Sequence, residues 1–572
     1  MKKVLSILLT IAMVLTMLAV PFSVVAVEGD TVTAETTEKK GIYDVVELLK
    51  LESATTATIN GREYDVVTID VKQYVVIAEA DDFTALQNTA ETTVDKNYIL
   101  KNDIDFGGTS FTNKFVKVSG IFEGNGFSMT GFSQSGYQGY GVFHGKGVNL
   151  TVRNLTLGAD GENNAIAMTP TKEAAALLLG ITTSASVITM QNVTAYMKIT
   201  EASYNSVAAF IGKLDGGSAS FTNCNAYVTI TSSSYNAAAF IGHQSTGTTS
   251  FTNCNAYATI TTTGTDTSGA GGFIGHLAGG SATLNNCTVD GSITAYNFAG
   301  GFVGRKAKTL EVYDCVCYAD VTATNKYAGG LTGACITGTT LDVKNFLHLG
   351  DLSAVSNKGG MTGLAGGTIT AENIFTTHAD GTDKSYVQTV AIDQLNHGLT
   401  FHADPSDETS KLITLRMIGE KAYFGETIRC DKDDMGNKLA TVYAQCTDEV
   451  EGVRNHRILV AVDAAHLADI TSVAFRVTYT LSETAAATYG SDTWTAELAG
   501  NEVSSYCVVK AAGATHATEE GAVLLAVVIE GVPDADWTNM NVKLDAACSA
   551  EVVDSAYNVT ADYTVAKLTG AN

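Results

Sequence analysis

The chain has 572 residues, of which 35 are Lys or Arg and 60 are Asp or Glu, so its formal net charge at pH 7 is −25. A charge of this sign and size repels phosphate backbones and acidic lipid surfaces, which argues against nucleic-acid binding. With 55 Gly, only 4 Pro and 45% hydrophobic residues, the composition excludes a disordered tail and predicts an ordered, β-rich chain of two or three domains.

The N-terminal residues predict export. Met1-Lys2-Lys3 precedes the apolar run Val4–Val20 and the small residue Ala26, which is the pattern of a secretory signal peptide cut after Ala26. An uncleaved anchor is the alternative. No later apolar run reaches the length of a membrane span. We therefore expect residues 1–26 to be removed and the mature protein to be extracellular, either secreted or associated with the cell surface.

Residues 27–97 are predicted to form an N-terminal segment that caps the domain after it. Ile42–Leu51 and Tyr64–Ile77 are predicted as strands, with a hairpin turn at Asn60-Gly61. Asp82–Asn88 is predicted as a short helix. A stack of parallel strands must hide its first open edge, because a bare edge recruits other chains. The hairpin and the helix are assigned to that role.

Residues 98–410 contain a repeat. A pattern of about thirty residues returns six times between Val187 and Thr368; each copy has an alternating segment, such as CNAYVTIT after Asn223, and then a glycine-bearing core, such as AAFIG ending at Gly242. The alternation predicts a half-buried strand, and the fixed period predicts stacked units. Strands of equal phase at this period must lie parallel, one coil above the last, which predicts a parallel β-helix.

Two columns of the repeat carry specific predictions. Cysteines that recur at one inward position are predicted to be buried thiols that pack as small hydrophobes: Cys224, Cys254, Cys287 and Cys315. Amides that recur before the alternating segment are predicted to form a stacked hydrogen-bonded ladder at a bend: Asn154, Asn192, Asn223, Asn253, Asn286, Asp314, Asn345 and Asn373. The run Ala174–Gly180 takes the place of the AAFIG core and is predicted as strand.

The glycine-bearing cores resemble the GLUG repeat of bacterial surface proteins. Segments 98–106 and 120–127 resemble the coils that precede such repeats, and the resemblance covers roughly residues 75–375. It implies a pectate-lyase-like right-handed β-helix of the adhesin type, with a role at the cell surface. The chain departs from the pattern at Thr332 and Thr362, which replace an apolar residue, and at Ala208-Ala209, which replaces Gly-Gly.

Residues 411–572 have a different composition. Strands are predicted at Arg457–Asp463, Ser472–Leu481, Val503–Lys510, Val523–Gly531 and Val542–Leu544. This spacing favours an all-β sandwich. The segments 456–480 and 524–532 resemble cohesin-like or carbohydrate-binding sandwiches. Cys430, Cys446, Cys507 and Cys548 lie in this part, where one or two disulfides are compatible with export, without a readable connectivity.

Recurring tyrosines are the candidate ligand-binding residues. One outward column is predicted to hold Tyr196, Tyr227, Tyr257 and Tyr318, interrupted by Asp290. A second set precedes the glycine core at Tyr204, Tyr235, Tyr296 and Tyr327. Rows of aromatic side chains can stack on sugar rings while nearby Asn and Thr bind hydroxyls. They can equally be cross-strand stacks that stiffen the rod.

Three functions remain open at this stage. The first is a non-enzymatic adhesin or stalk that binds a glycan or a surface protein. The second is a polysaccharide lyase or hydrolase, for which Asp290, Asp314 and Asp320 are the nearest carboxylates and Arg153, Lys198, Lys213, Arg305, Lys306 and Lys308 are the few basic residues of the coils. The third is a structural component of an extracellular matrix. No metal-ligand spacing accompanies the cysteines, and no cofactor is predicted.

Overall fold

The computed structural model describes residues 41–569, except for 52–54, 70, 88–93, 113–114, 137–140, 162–163, 171–173, 203–205, 234–235, 265–268, 307, 379–380, 411, 419–420, 430–437, 451–452, 463–471, 481–496, 500–501, 511–522, 534–544 and 554–558. Side chains are described for most of these residues up to Gly425. The predicted signal peptide, residues 1–26, lies outside the described residues. No helix in the described part of the chain is long and apolar enough to cross a membrane.

The N-terminal elements form a hairpin and two short helices. They are α1 (Val45–Leu51), β1 (Thr55–Ile59), β2 (Arg62–Ile69), β3 (Lys72–Ile77) and α2 (Ala80–Leu86). The predicted turn is confirmed, since Asn60 and Gly61 both have positive φ, 53° and 81°, as a two-residue hairpin turn requires. The strand predicted over residues 42–51 is wrong.

The segment predicted as a strand is helical because its apolar residues follow a helical spacing. Val45, Leu48 and Leu49 stand at i, i+3 and i+4 and pack as one face against the outer side of β2 and β3. Helix α2 covers the end of the stack: the fully buried Phe83 makes edge-to-face contacts with Phe106 and Phe122. The capping role predicted for the helix therefore fits its contacts.

The strands of the solenoid follow in chain order. They are β4 (Val94–Asp95), β5 (Asn97–Leu100), β6 (Ile104–Thr112), β7 (Val118–Glu123), β8 (Ser128–Gly136), β9 (Asn149–Leu157), β10 (Ile166–Pro170), β11 (Ala175–Ala176), β12 (Leu179–Thr182), β13 (Val187–Ala202), β14 (Ser206–Ala208), β15 (Ile211–Thr222), β16 (Asn225–Ser232), β17 (Asn236–Ala238), β18 (Ile241–Thr252), β19 (Asn255–Thr262), β20 (Gly269–Gly271), β21 (Ile274–Leu277), β22 (Ser281–Asn285), β23 (Thr288–Ala295), β24 (Phe298–Gly300), β25 (Val303–Lys306), β26 (Thr309–Cys317), β27 (Asp320–Ala323), β28 (Tyr327–Gly329), β29 (Thr332–Cys335), β30 (Thr340–His348), β31 (Leu352–Ala354), β32 (Asn357–Gly359), β33 (Thr368–Thr376) and β34 (Gln388–Thr389).

Each of these strands pairs in parallel with its equivalent one coil away. Strand β16 pairs with β13 on one side and with β19 on the other, and Tyr227 stands opposite Tyr196 and Tyr257. Short strands β11, β14, β17, β20, β24, β28 and β32 form a second parallel sheet. The predicted parallel β-solenoid is thus confirmed. Its sheet begins earlier than predicted, at β3, which pairs in parallel with β5.

The residues predicted to face inward, at alternate positions of each strand, form the core of the solenoid. Cys224, Ala226 and Ile230 are fully buried, and the predicted inward cysteines are all buried free thiols. An interior aromatic row adds to them: Phe210, Phe240 and Phe273 stack at 4.7 and 4.6 Å between ring centroids. Since each buried Phe contributes about 2 to 3 kcal/mol, coil-to-coil packing dominates the stability of the rod.

The predicted amide ladder is confirmed. Every member of the predicted column has a positive φ between 50° and 57°. The Nδ2 of Asn223 donates to Oδ1 of Asn192 at 3.2 Å, and the Nδ2 of Asn253 donates to Oδ1 of Asn223 at 3.2 Å. Amide-to-amide bonds run from Asn154 to Asn286, and the ladder resumes from Asp314. Burial raises the pKa of Asp314.

The glycines of the repeat explain the bend in each coil. Both faces of β14, β17, β20 and β24 are buried, because these strands lie against the strands that follow the bend, β15, β18, β21 and β25. We call this line of close approach the crease. A Cβ at Gly275 would lie 2.6 Å from the carbonyl oxygen of Gly242 and 2.8 Å from the nitrogen of Ala237. Only glycine fits there.

The C-terminal strands form two antiparallel sheets. Helix α3 (Ile392–His397) precedes β35 (Leu399–His402), β36 (Leu412–Ile418), β37 (Lys421–Arg429), β38 (Lys438–Val450), β39 (Val453–Val462), β40 (Ser472–Thr480), β41 (Glu497–Ala499), β42 (Glu502–Lys510), β43 (Val523–Pro533), β44 (Asp545–Val553) and β45 (Val559–Thr569). One sheet has the order β35-β36-β37-β38-β39-β43 and the other β41-β42-β40-β44-β45, as expected for a sandwich. The strand predicted at residues 542–544 lies outside the described residues.

The first C-terminal sheet contacts the solenoid. Leu415 and Ala422 of this sheet pack with Val316, Leu347 and Phe375 on the outer face of the last coils.

In the second sheet, β42 and β44 pair with the two sides of β40, and their register places Cys507 and Cys548 opposite Phe475.

Candidate functional site

Three of the predicted tyrosines form one stack on the outer face of the solenoid. The rings of Tyr196 and Tyr227 lie 4.6 Å apart with an interplanar angle of 10°, and those of Tyr227 and Tyr257 lie 4.5 Å apart at 6°. Each side chain is half-buried. The stack follows from the repeat, because identical register in β13, β16 and β19 places one ring over the next. Mutual contact holds each ring in place before any ligand arrives.

These rings line an open groove of about 520 Å³ that runs across four coils. The groove lies over β13, β16, β19 and β23. Its lining residues are Asp160, Gly161, Ala165, Tyr196, Met197, Lys198, Tyr227, Val228, Thr229, Tyr257, Ala258, Thr259, Asp290 and Gly291. The side chains of Met197, Val228 and Ala258 point into the core, so main chain forms the floor between the tyrosine column and the column of Lys198, Thr229 and Thr259.

Both ends of the groove carry a carboxylate. At one end, the loop after β9 brings Asp160, whose Oδ1 accepts the N–H of Gly161 at 2.8 Å. At the other end, Asp290 replaces the next tyrosine of the column, and its Oδ1 accepts the N–H of Gly291 at 2.6 Å. Gly291 has a φ of 104°, and a Cβ there would lie 2.4 Å from the carbonyl oxygen of Ala258. Gly291 is thus a residue with left-handed backbone conformation inside β23, and the groove lining ends at this coil.

The remaining predicted tyrosines are placed differently. Tyr318 continues the column, but its hydroxyl accepts the N–H of Ala422 at 2.7 Å and donates to the Ala422 carbonyl at 3.2 Å. Tyr318 therefore has the predicted outward orientation, but it is not available to a ligand because strand β37 covers it. Tyr296 and Tyr327 are half-buried beside the crease, and neither lines the groove. Tyr204 and Tyr235 lie outside the described residues.

Most of the basic residues considered for a lyase lie away from the groove. Arg153 donates through Nε to the buried carboxylate of Glu123, Lys213 lies 3.3 Å from Asp215, and Arg305 lies over the ring of Phe298. Lys198 is the one that lines the groove. Lys308 is exposed. These positions bring no two of the cations together at the tyrosines.

Lys306, one of the basic residues considered for a lyase, is an interior side chain. It ends β25, is fully buried and donates to Sγ of Cys335 at 3.8 Å. Burial lowers the pKa of its amine to about 8. An apolar residue would be expected at this inward position, so the period of the repeat alone should have indicated an interior side chain.

The carboxylates considered for a hydrolase do not converge. Asp314 is a member of the amide ladder and accepts the Nδ2 of Asn345 at 2.7 Å. Asp320 is on the next strand and accepts the N–H of Asp351 at 2.8 Å. Asp290 alone of the three lines the groove. Among the described residues, no group of three or more His, Cys, Asp or Glu side chains could hold a metal ion.

A histidine pair that the sequence analysis did not single out lies beside the crease. His243 and His276 occupy one column of β18 and β21, and their rings stack 5.1 Å apart. Burial, with the nearby Lys213, lowers the pKa of His243 to about 4. Burial, with His243 and Arg305, lowers the pKa of His276 to about 3. Both imidazoles are therefore neutral at pH 7 in the folded protein.

The histidine pair predicts a loss of stability in acid. In the unfolded chain the two histidines have pKa values near 6.5, so between pH 6.5 and 4 they bind protons that they do not bind in the folded chain. The free energy of unfolding therefore falls as the pH decreases from about 6.5 towards 4. In the double variant His243→Gln/His276→Gln, we expect the melting temperature to fall less over this range, by on the order of 5 °C. Calorimetric scans at stepped pH measure both curves, and parallel curves would contradict the assignment.

The fold and the groove together define a parallel β-solenoid with an aromatic surface groove. No model of a protein family matches the chain, and no curated protein matches it. Among solved structures, the chain is similar to a protein from Bacteroides ovatus that is provisionally named an immunoglobulin A1 protease, with 14% identity and a TM-score of 0.33. The match covers 53% of this chain and 85% of that one. A similarity at this level carries no argument about function.

Proposed function

We propose that this protein is a secreted, non-enzymatic surface protein whose solenoid binds a glycan along the tyrosine groove. The stack of Tyr196, Tyr227 and Tyr257 at the wall of an open groove is the observation that carries the proposal. The rings cover one another's faces, so the stack presents a row of rigid ring edges to the groove, which suits a ligand with apolar C–H surfaces and many hydroxyls. A ring already fixed by its neighbours loses little conformational entropy on binding.

The polar groups around the stack support a saccharide over a protein partner. Thr229 and Thr259 place hydroxyls along the wall, and Asp160, Lys198 and Asp290 add charged groups that hydrogen-bond strongly. A groove of about 520 Å³ that is lined by aromatic and apolar groups with a few placed polar groups has the size and lining of a small-ligand site. The surface location rests on the predicted signal peptide and on the resemblance to GLUG-repeat adhesins.

The proposal is tested by removing two rings of the stack. In Tyr227→Ala/Tyr257→Ala, we expect binding to the best glycan of an immobilised panel to weaken by about 30-fold, because the two aromatic contacts, at about 1 kcal/mol each, contribute about 2 kcal/mol together. Tyr327→Ala is the matched control, since Tyr327 is also half-buried and stacks on Phe298 away from the groove.

Two results would overturn the proposal. One is a wild-type protein that binds no glycan of the panel. The other is a double variant that binds as tightly as the control while its unfolding curve shows an intact solenoid.

A further inference from the structure

We propose that the groove holds a neutral glycan chain parallel to the solenoid axis, with one sugar ring on each coil. This inference rests on the proposed function, because it assigns the class and the register of the ligand in the same groove. The groove repeats its chemistry coil by coil. Tyr196, Tyr227 and Tyr257 supply one ring per coil on one wall, and Lys198, Thr229 and Thr259 supply one polar group per coil on the other.

The spacing of the coils matches an extended sugar chain. Neighbouring coils are separated by about 4.8 Å, the distance between paired strands. This distance is close to the advance per ring of an extended, equatorially linked pyranose chain. A glycan that runs parallel to the solenoid axis therefore contacts one aromatic and one polar side chain at each sugar ring. A glycan that runs parallel to the strands would contact these two columns only once.

The ends of the groove set the length of chain that it can hold. From Tyr196 to Asp290 the column spans four coils, which corresponds to about 14 Å between the first and last positions. The loop that carries Asp160 and Gly161 closes one end. At the other end, Asp290 and Gly291 of β23 are the last residues that line the groove. One ring per coil gives about four sugar rings.

The charges of the groove select against acidic sugars. Two carboxylates, Asp160 and Asp290, and one amine, Lys198, give the lining a formal charge of −1, on a chain whose net charge is −25. Uronates and sulfated sugars are negatively charged, so the lining of the groove and the chain as a whole both repel them. A neutral chain instead offers neighbouring hydroxyls that can donate to the two oxygens of a carboxylate. The geometry thus points to neutral, equatorially linked hexose or N-acetylhexosamine chains.

The test is titration calorimetry of the full-length protein with cello- and chito-oligosaccharides of one to six rings and with oligogalacturonates of the same lengths. We expect the affinity for at least one neutral series to rise several-fold with each ring, to level off at four rings, and to exceed that for the acidic series at every length. Thr259→Arg, at an exposed position of the third coil, should move the plateau to two rings. Tyr327→Ala should leave it at four.

The possible failures are distinct. An affinity that is complete with a single ring, a plateau that Thr259→Arg does not move, or tighter binding of oligogalacturonates overturns the register and the ligand class while glycan binding stands. Absence of binding to every saccharide, together with a folded protein, overturns the proposed function itself.

Discussion

Replacing Gly242 by valine is expected to cost roughly 4 kcal/mol of the free energy of unfolding. A Cβ at this position would lie 2.7 Å from the carbonyl oxygen of Gly212 and 2.7 Å from the nitrogen of Val207. Both neighbours are backbone atoms held in parallel ladders on either side of the crease, so neither can move without breaking strand pairing. Denaturant unfolding followed by circular dichroism measures the loss.

A control variant at Gly338 separates the effect of steric crowding at the crease from the effect of losing glycine's backbone freedom. Gly338 has a φ of 80° but open space around its Cβ position, so Gly338→Ala should cost only about 1 to 2 kcal/mol of backbone strain. If Gly242→Val does not accumulate as folded protein, Gly242→Ala tests the same contact, because the crowding already begins at Cβ. A Gly242 variant within about 1 kcal/mol of wild type would show that the crease is not closely packed.

Replacing Asn223 by valine is the substitution with the next largest expected effect, a loss of about 3 kcal/mol. The φ of Asn223 is 52°, a conformation that a β-branched residue adopts only with strain. Its Oδ1 also accepts a hydrogen bond from Nδ2 of Asn253, and its Nδ2 donates to Oδ1 of Asn192, both at 3.2 Å. Removing it leaves both neighbouring amides without this partner.

The variant Asn223→Gly separates the two contributions. Glycine adopts the same φ without strain but makes no side-chain hydrogen bond, so it should lose only about 1 to 2 kcal/mol relative to wild type. Equal losses for the valine and glycine variants would mean that backbone strain at the bend is negligible. Thermal unfolding of the two proteins beside wild type makes the comparison.

The sequence predicted the parts of this fold that repeat. The columns of Cys224 and Asn223 could be placed from the repeat alone, because a shared period forces equivalent residues to stack and alternation decides which of them face inward. The same reasoning placed Tyr196, Tyr227 and Tyr257 in one outward column. Their stacking follows from strand register alone.

The parts that do not repeat could not be predicted in this way. The helix at Val45–Leu51 depends on an apolar face that only the neighbouring hairpin gives a partner. Tyr318 obeys the outward column, but a strand more than one hundred positions later covers its hydroxyl. The groove also requires the loop that carries Asp160, which no periodicity indicates.

The glycines show a third case, in which the pattern was recognised but its physical reason was not. The sequence marks the cores that end at Gly242 and Gly275, yet nothing in one coil shows that the next coil's backbone will occupy the space of a side chain. That reason appears only when two coils are stacked and the crease forms.

Ligand contact at the stacked tyrosines is measured most directly by hydroxyl-radical footprinting with mass spectrometry. With a saturating neutral oligosaccharide, we expect the oxidation of Tyr196, Tyr227 and Tyr257 to slow markedly and that of Tyr327 to stay constant. Unchanged oxidation of the three stacked rings, with protection at the crease or in the C-terminal sheets instead, would contradict the assignment of the groove as the binding site.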